Sequence, residues 1–386
     1  MENSFSSPGV PPQLNPPPPV ITPPPPAPPR RSWGWIIVSC ILVLLLGFSL
    51  LGNVTQFFVQ AVGGGLGGGF NRNFNTRSAR AVGPRLDECL LEDNGAHNKI
   101  AVITVDGIIT SHSVDPAGNN MVDVIQAQLD RAKDDKRVKA VILKVDSPGG
   151  EVMASDQINK TIAKFQEDSK KPVVCSMGSL AASGGYYISA PCRWIVANDL
   201  TITGSIGVIM HGYNYRGLMD KVGVLPMTYK SGLYKDMLSP DRSTNEIPAG
   251  EHKMVQALID ETYGKFTNIV FTGRAQAHQK NNSEGKALAD NWANFADGRV
   301  LSGSEALKLG FVDQVGDFDA AVNRTKTIAH VGDANLIEYR ERYDLSDFLS
   351  MFGQSGAAHD IKLDLGLDIP KLRVGCMYFL WQAPEN

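Results

Sequence analysis

The chain has 386 residues, but 13 of its 23 prolines fall in the first 30, which leaves roughly 355 residues for anchor and globular parts. With 43% hydrophobic and 20% charged residues, and 37 basic against 40 acidic side chains for a net charge of −3, it has an ordinary globular composition with no bulk attraction to nucleic acid. The five cysteines, Cys40, Cys89, Cys175, Cys192 and Cys376, lack CxxC or Cys/His spacing, which argues against a structural zinc site and a dense disulfide scaffold.

Residues 1–32 read as a disordered, proline-rich cytoplasmic tail, because runs such as Pro16 to Pro19 favour extended polyproline II and bury nothing. It is a spacer or a docking segment for a proline-reading partner. From Trp33 to Leu51 there is no charge, and 19 residues at helical rise match about one hydrocarbon thickness. A single transmembrane helix over 33–51, held by membrane lipid, is the expectation. Arg30 and Arg31 abut its start while the next basic residue is Arg72, which places the N-terminus in the cytoplasm and the rest outside the membrane. A cleaved signal peptide is the alternative, against which stand the length of the run and the lack of a nearby A-x-A-like site. Residues 52–97, with GGGLGGGF at 63–70, read as a Gly/Asn-rich tether.

From about Lys99, β-rich runs alternate with helical periodicity. KIAVITV is followed by a helix carrying Val122, Ile125 and Leu129, then VKAVILKV, a helix from about Val152 to Gln166, and PVVCSM. That order predicts right-handed βαβ units and a mostly parallel sheet. Further on come a helix from about Ser183 that Pro191 ends, the strand RWIVAN, a strand around SIGVIM and a long helix from about Ala249 to Thr272. Residues 98–330 are therefore expected to form one α/β domain. Residues 331–386 are expected to be an extension with LIEY as a strand, a short helix near 344–352, and an apolar terminal run, VGCMYFLW, that pairs with the domain's own sheet or a neighbour's.

Two glycine-bearing turns leave strand ends, the place where ligands sit in open α/β sheets. In DSPGG (146–150), Gly149 and Gly150 free backbone N–H groups to face an anion or a developing oxyanion; a plain tight turn has the same sequence. The absence of GxxxxGK[ST] disfavours a nucleotide P-loop. In MGSLAASGGYYISAP (177–191), Ser183 stands among Ala181, Ala182, Gly184 and Gly185 at a helix start, as a nucleophile or as an N-cap. A nucleophile needs a base. None of the seven histidines has an obvious local carboxylate partner, and a spatial pairing stays open. Lys235 lies among Leu233, Tyr234, Met237 and Leu238, as a desolvated base or as a solvated surface charge. Bringing a lysine from about 10.4 towards 7 requires roughly 4 to 5 kcal/mol of differential desolvation.

DSPGG, SMGSLAASGGYYISAP, TGSIGVIM, KSGLYKDMLSPDR and ADGRVLSGSEALKLGFVDQVG resemble, in that order, the motifs of the signal peptide peptidase A family, peptidase family S49. The resemblance covers about residues 99–325 and extends to the closing MYFLW. It implies a ClpP/crotonase-like α/β fold with repeated ββα/βαβ units, preceded here by the transmembrane helix. It also implies a membrane-associated Ser/Lys-dyad peptidase with Ser183 as nucleophile, Lys235 as general base, and Gly150, helped by Gly149 and next to Gly184, at the oxyanion. No metal or cofactor is implied. Substrates would be signal-peptide remnants or other apolar peptides. Relatives build each site from two copies of the domain, and this sequence holds one, so a homo-oligomer with shared sites is the expectation. Glu151, where relatives often carry a small residue, would oppose catalysis if it faced the oxyanion. The rival readings are an acyl-CoA enzyme of the crotonase type and a non-catalytic membrane scaffold. Cys175 and Cys192 are expected to be free buried thiols.

Overall fold

The computed structural model describes residues 83–112, 119–342 and 377–380, together with 41–43 and 46. The proline-rich tail, most of the expected membrane helix and the expected helix near 344–352 lie outside the described residues. Among the described residues no helix is long and apolar enough to cross a membrane.

Three parallel strands form the centre: β2 (Lys99–Asp106), β3 (Val138–Ser147) and β5 (Val173–Ala182). Their apolar runs are nearly continuous because both faces are covered, as parallel sheets require. Between them run α1 (Met121–Asp134) and α2 (Val152–Ser169). Helix α1 starts where the Asn120 side chain accepts the Asp123 N–H, and it buries Ile125, Leu129 and Ala132 at helical spacing. Helix α2 buries Ala154, Ile158, Ile162 and Phe165, and stops at Lys170 in the left-handed region.

Beyond Ser183 come α3 (Gly184–Ser189), β6 (Trp194–Ala197) and β7 (Ile202–Gly204). Strand β5 pairs with β6 through residues 174–176 and with β7 through 180–182, so a single strand carries two neighbours end to end. The expected strand around SIGVIM is met in part: the regular strand lies just before it, and within the run Ile209 forms a single antiparallel bridge with Tyr378 near the C-terminus. Gly204 (φ +75) and Ser205 (φ +48) turn the chain out of the sheet, and Ile206 goes into the core without pairing. Next are α4 (Arg216–Val222), α5 (Ala249–Lys280), β8 (Val300–Ser302), α6 (Gly303–Lys308), β9 (Gln314–Val315) and α7 (Phe318–Ile328). Helix α5 runs eight residues past its expected end.

Both expected domain limits shift. Strand β1 (Leu86–Glu92) lies inside the stretch read as tether, and β10 (Asn335–Glu341) inside the stretch read as an extension. They pair antiparallel with each other, and β10 lies parallel against β2, so both belong to the sheet. LDECLLE shows no clean alternation, because mainly Leu86 of this strand is buried. The full strand order is β1-β10-β2-β3-β5-β6-β9, with β7 on β5 and β8 on β7.

A second, two-stranded sheet sits at the end of β3. Strand β4 (Gly149–Glu151) pairs antiparallel with β11 (Tyr378–Leu380), the apolar C-terminal run. The terminal strand thus pairs within its own chain, on the very glycines of the DSPGG turn.

Candidate active site

Ser183 stands at the junction of β5 and α3 with φ +52 and ψ −113, a backbone region that non-glycine residues rarely occupy. Such strain persists only where the surroundings over-determine it. The Ser183 N–H donates to the Gly204 carbonyl (2.9 Å) and its own carbonyl accepts the Tyr187 N–H (2.8 Å). The residue is 1% exposed, and its side chain does not cap the helix that it precedes. Ser183 is thus the N-cap by position and by its carbonyl, but its hydroxyl is not occupied by that helix.

The three candidate glycines meet at this elbow. A Cβ on Gly184 would stand 2.7 Å from Ser155 Oγ and 3.0 Å from Gly149 Cα, and one on Gly149 would be 2.5 Å from the Gly184 N. A Cβ on Gly150 would overlap the Ile109 carbonyl oxygen. All three positions exclude side chains because backbone packs on backbone. One expectation needs correction. The Gly149 N–H already donates to Ser147 Oγ (3.1 Å), so Gly149 contributes space here and not a free donor.

That space is filled by Phe379 of β11. Its carbonyl oxygen lies where a Gly149 Cβ would be, on the same side as the Gly184 N–H, and Phe379 stands opposite Gly150 in the strand register. The Phe379 ring stacks on Tyr187 (centroids 4.7 Å apart, 26° between planes) and packs on Phe266 of α5 (4.7 Å). The Tyr187 hydroxyl donates to Asp156 (2.8 Å), which also pairs with Lys160 and Lys265, each at 2.8 Å. Burial alone would raise the Asp156 carboxyl, but the bonds from Lys160, Lys265 and Tyr187 hold it below the usual carboxylate range.

Glu151 is turned to other partners. Its carboxylate accepts from the Ser111 N–H (2.9 Å) and hydroxyl (2.6 Å) and pairs with His112 Nδ1 at 2.8 Å. Burial would raise this carboxyl, and the Ser111 hydrogen bonds with His112 beside it bring it below its ordinary value. A spatial His–carboxylate pair does exist, then, but among the described residues no hydrogen bond joins it to Ser183.

Lys235 is exposed, in a turn spanning residues 233–238, and among the described residues no hydrogen bond connects it with Ser183. The structure brings Ser183, Gly149, Gly150 and Gly184 together, and among the described residues no hydrogen bond or ion pair joins Lys235 to any of them. Around it the segment 213–238 is rich in exposed apolar side chains, among them Tyr213, Leu225, Met227 and Tyr229, and α4 buries none of its residues.

Two serines near the elbow escaped sequence reasoning. Ser205 follows Gly204, is buried and has a positive φ; Ser155 is wholly buried with its hydroxyl unpartnered. The glycine in TGSIG was the one local signal for the first, and nothing local marked the second. Cys175 and Cys192 are free and buried, with Cys175 Sγ 3.2 Å from Ser189 Oγ and the Cys192 thiol pushed well up by burial.

Residues 165–332 match peptidase family S49. A protein of Enterococcus faecium named for signal peptide peptidase SppA is 37% identical over 272 residues, covering 69% of this chain and 73% of the relative. Protease 4 of Haemophilus influenzae is 33% identical over 287 residues, 72% of this chain and 44% of that protein. A chloroplastic serine protease SPPA of Arabidopsis thaliana is 29% identical over 268 residues, 68% of this chain and 37% of its own length. A solved structure of a membrane-bound stomatin-specific protease aligns with 21% identity and a TM-score of 0.36, over 60% of this chain and 86% of the other. With more than a third of the residues shared across nearly three quarters of a full-length relative, this chain belongs to peptidase family S49, the signal peptide peptidase A family, and is a serine peptidase.

Proposed function

We propose that the chain is a membrane-anchored Ser/Lys-dyad endopeptidase that cleaves extended apolar peptides, signal-peptide remnants among them, with each site shared between two copies. One observation carries the peptide reading: the chain's own Tyr378–Leu380 lies as an antiparallel strand on Gly149–Glu151, with its Phe379 carbonyl oxygen and the Gly184 nitrogen both packed against Gly149. Strand addition of this kind uses main-chain hydrogen bonds for affinity and side-chain seats for selection. A substrate strand in the same register would set a large apolar side chain between Tyr187 and Phe266 and its scissile carbonyl at the serine elbow.

In this reading neutral Lys235 Nζ takes the Ser183 Oγ proton as Oγ bonds to the carbonyl carbon. Backbone N–H groups of Gly150 and Gly184 receive the oxyanion. The C–N bond then breaks, the lysine ammonium returns its proton to the leaving amine, and water, deprotonated by the same lysine, hydrolyses the ester. A lysine base must be shielded from water, and Lys235 is exposed within its own chain. The apolar surface of residues 213–238 favours a second copy as the cover. The uncharged run 33–51 and the basic residues before it support an anchor with the peptidase domain on the extracytoplasmic side.

The test is a fluorophosphonate label and an apolar peptide substrate on detergent-solubilised protein. Wild type should label at Ser183 and cleave the peptide, and Ser183→Ala should do neither. Labelling at another serine, with cleavage intact in Ser183→Ala, would end the reading.

A further inference from the structure

Lys235 projects from a segment with little burial, yet the residues on either side of it are tied to one place. Before it, the Tyr234 hydroxyl lies 2.8 Å from where a Cβ on Gly250 would stand, at the first turn of α5. After it, Asp236 accepts from Lys230 Nζ (2.8 Å) and from Arg242 Nη1 (3.3 Å). Arg242 is 5% exposed and its Nη2 donates to both carboxylate oxygens of Glu251, each at 2.6 Å. Glu251, next to Gly250 and 3% exposed, also accepts the Leu238 N–H (2.8 Å), at a residue held with φ +65. The Arg242 guanidinium thus links Asp236, one residue past Lys235, to Glu251, and Glu251 itself holds Leu238, three residues past it, so both are tied to the start of a 32-residue helix that reaches Phe266 at the Phe379 seat.

A buried ion pair is a poor device for stability alone, since desolvating both charges offsets most of the attraction. This one also leaves the Arg242 Nε buried without a partner. What a planar guanidinium forked between two carboxylates, Nη1 on Asp236 and Nη2 on Glu251, does supply is fixed geometry. We infer that Arg242 and Glu251 are positioning residues for Lys235: they set the register of residues 234–238 on α5 so that the Lys235 ammonium is presented to a serine elbow at constant reach. The inference rests on the reading of Lys235 as the base. Burial would raise the Glu251 carboxyl, but the Arg242 and Leu238 bonds hold it below its usual range, while Glu251 raises Arg242, so both charges persist at neutral pH. The other charges at this corner are Lys230, Asp236, Asp241 and Glu246.

The experiment compares wild type, Lys235→Ala, Arg242→Lys, Glu251→Gln and Gly250→Ala as full-length proteins in detergent. Peptide kinetics against pH are measured beside melting temperature and oligomer size. Arg242→Lys keeps the charge and loses the fork; Glu251→Gln keeps the shape and loses the charge. Each should lower kcat by on the order of 10- to 100-fold, the scale of a misplacement near 1 Å, with KM nearly unchanged. The acid limb of kcat/KM should move to higher pH, because a less well covered lysine stays protonated longer. Gly250→Ala, which displaces only the Tyr234 hydroxyl, should give a smaller shift in the same direction and serves if the charge variants do not fold. A wild-type acid limb in every folded variant, with Lys235→Ala inactive, would overturn the positioning role and leave the base intact. Wild-type rates in Lys235→Ala would overturn both.

Discussion

The serine elbow and the lysine segment are built in opposite ways. Ser183 is enclosed by β3, β5, β7 and α3, its strained backbone is held by two main-chain hydrogen bonds, and no added Cβ fits on the glycines around it. Lys235 sits on a stretch with exposed tyrosines and aliphatics, tied at residues 236–242 by the Arg242–Glu251 pair among other bonds. The serine half of the proposed site is buried, and the lysine half is exposed among the described residues. The enclosed half tolerates strain because packing opposes relaxation. In the proposed function the exposed half would acquire its water-free setting from a second copy.

The strongest way to break this contrast is to remove either member of the pair. Ser183→Ala and Lys235→Ala should each reduce peptide turnover by on the order of 10,000-fold or more while far-UV circular dichroism and oligomer size persist. Lys235→Arg should be equally inactive, since a guanidinium does not deprotonate near neutral pH. Turnover above a few per cent in either lysine variant would remove Lys235 from the chemistry.

Mixing sharpens the contrast further. If the two halves meet across a boundary between copies, Ser183→Ala refolded with Lys235→Ala should regain a fraction of wild-type activity, because some boundaries then carry an intact pair. Background activity with subunit exchange demonstrated by a mass tag would show that both residues act within one fold.

A smaller effect is expected at the edge that Phe379 occupies. Phe→Ala in a packed site costs about 3 to 5 kcal/mol, so Phe379→Ala should loosen the terminal strand and lower the apparent KM for added peptides by roughly 10-fold or more. Phe266→Ala should lower kcat/KM for peptides with an aromatic residue at the reacting carbonyl more than for those with alanine. Equal losses on both peptides would detach the Tyr187–Phe266 seat from substrate selection.

The smallest effect comes from acid. Because the folded Glu251 carboxyl is held below its unfolded value of 4.5, its contribution is complete above that value and disappears as the pH falls through the lower folded one. Protection against hydrogen exchange in residues 230–242, taken relative to the intrinsic rate at each pH, should fall below about pH 4.5 before that of the central strands. Glu251→Gln should show low protection in this segment at every pH.

Much of the serine half was legible in the order of residues. DSPGG and SGG need glycine where backbones touch, and apolar runs of the length of KAVILKV declare covered strands. The long helix was visible, although its last turns were not, because polar residues such as Gln276 and Gln279 continue it without adding to a periodic apolar face. Strand β1 was read as tether because a strand recruited by its partner Asn335–Glu341 needs no alternation of its own.

What the sequence determined by itself is therefore local: the turns that only glycine allows and the alternation of strand and helix from 99 onward, whereas Ser183 and Lys235 stood out only through the resemblance of five ordered motifs to a known family. Tertiary structure alone decided which distant segments share a site. It laid Phe379 on Gly150, wrapped β10 and β1 around the edge of the sheet, and left Lys235 exposed beside an anchored corner of α5. Backbone conformation answers to neighbours a few residues away, whereas strand pairing and burial answer to whichever surfaces the folded chain brings within reach, and no short-range pattern records those.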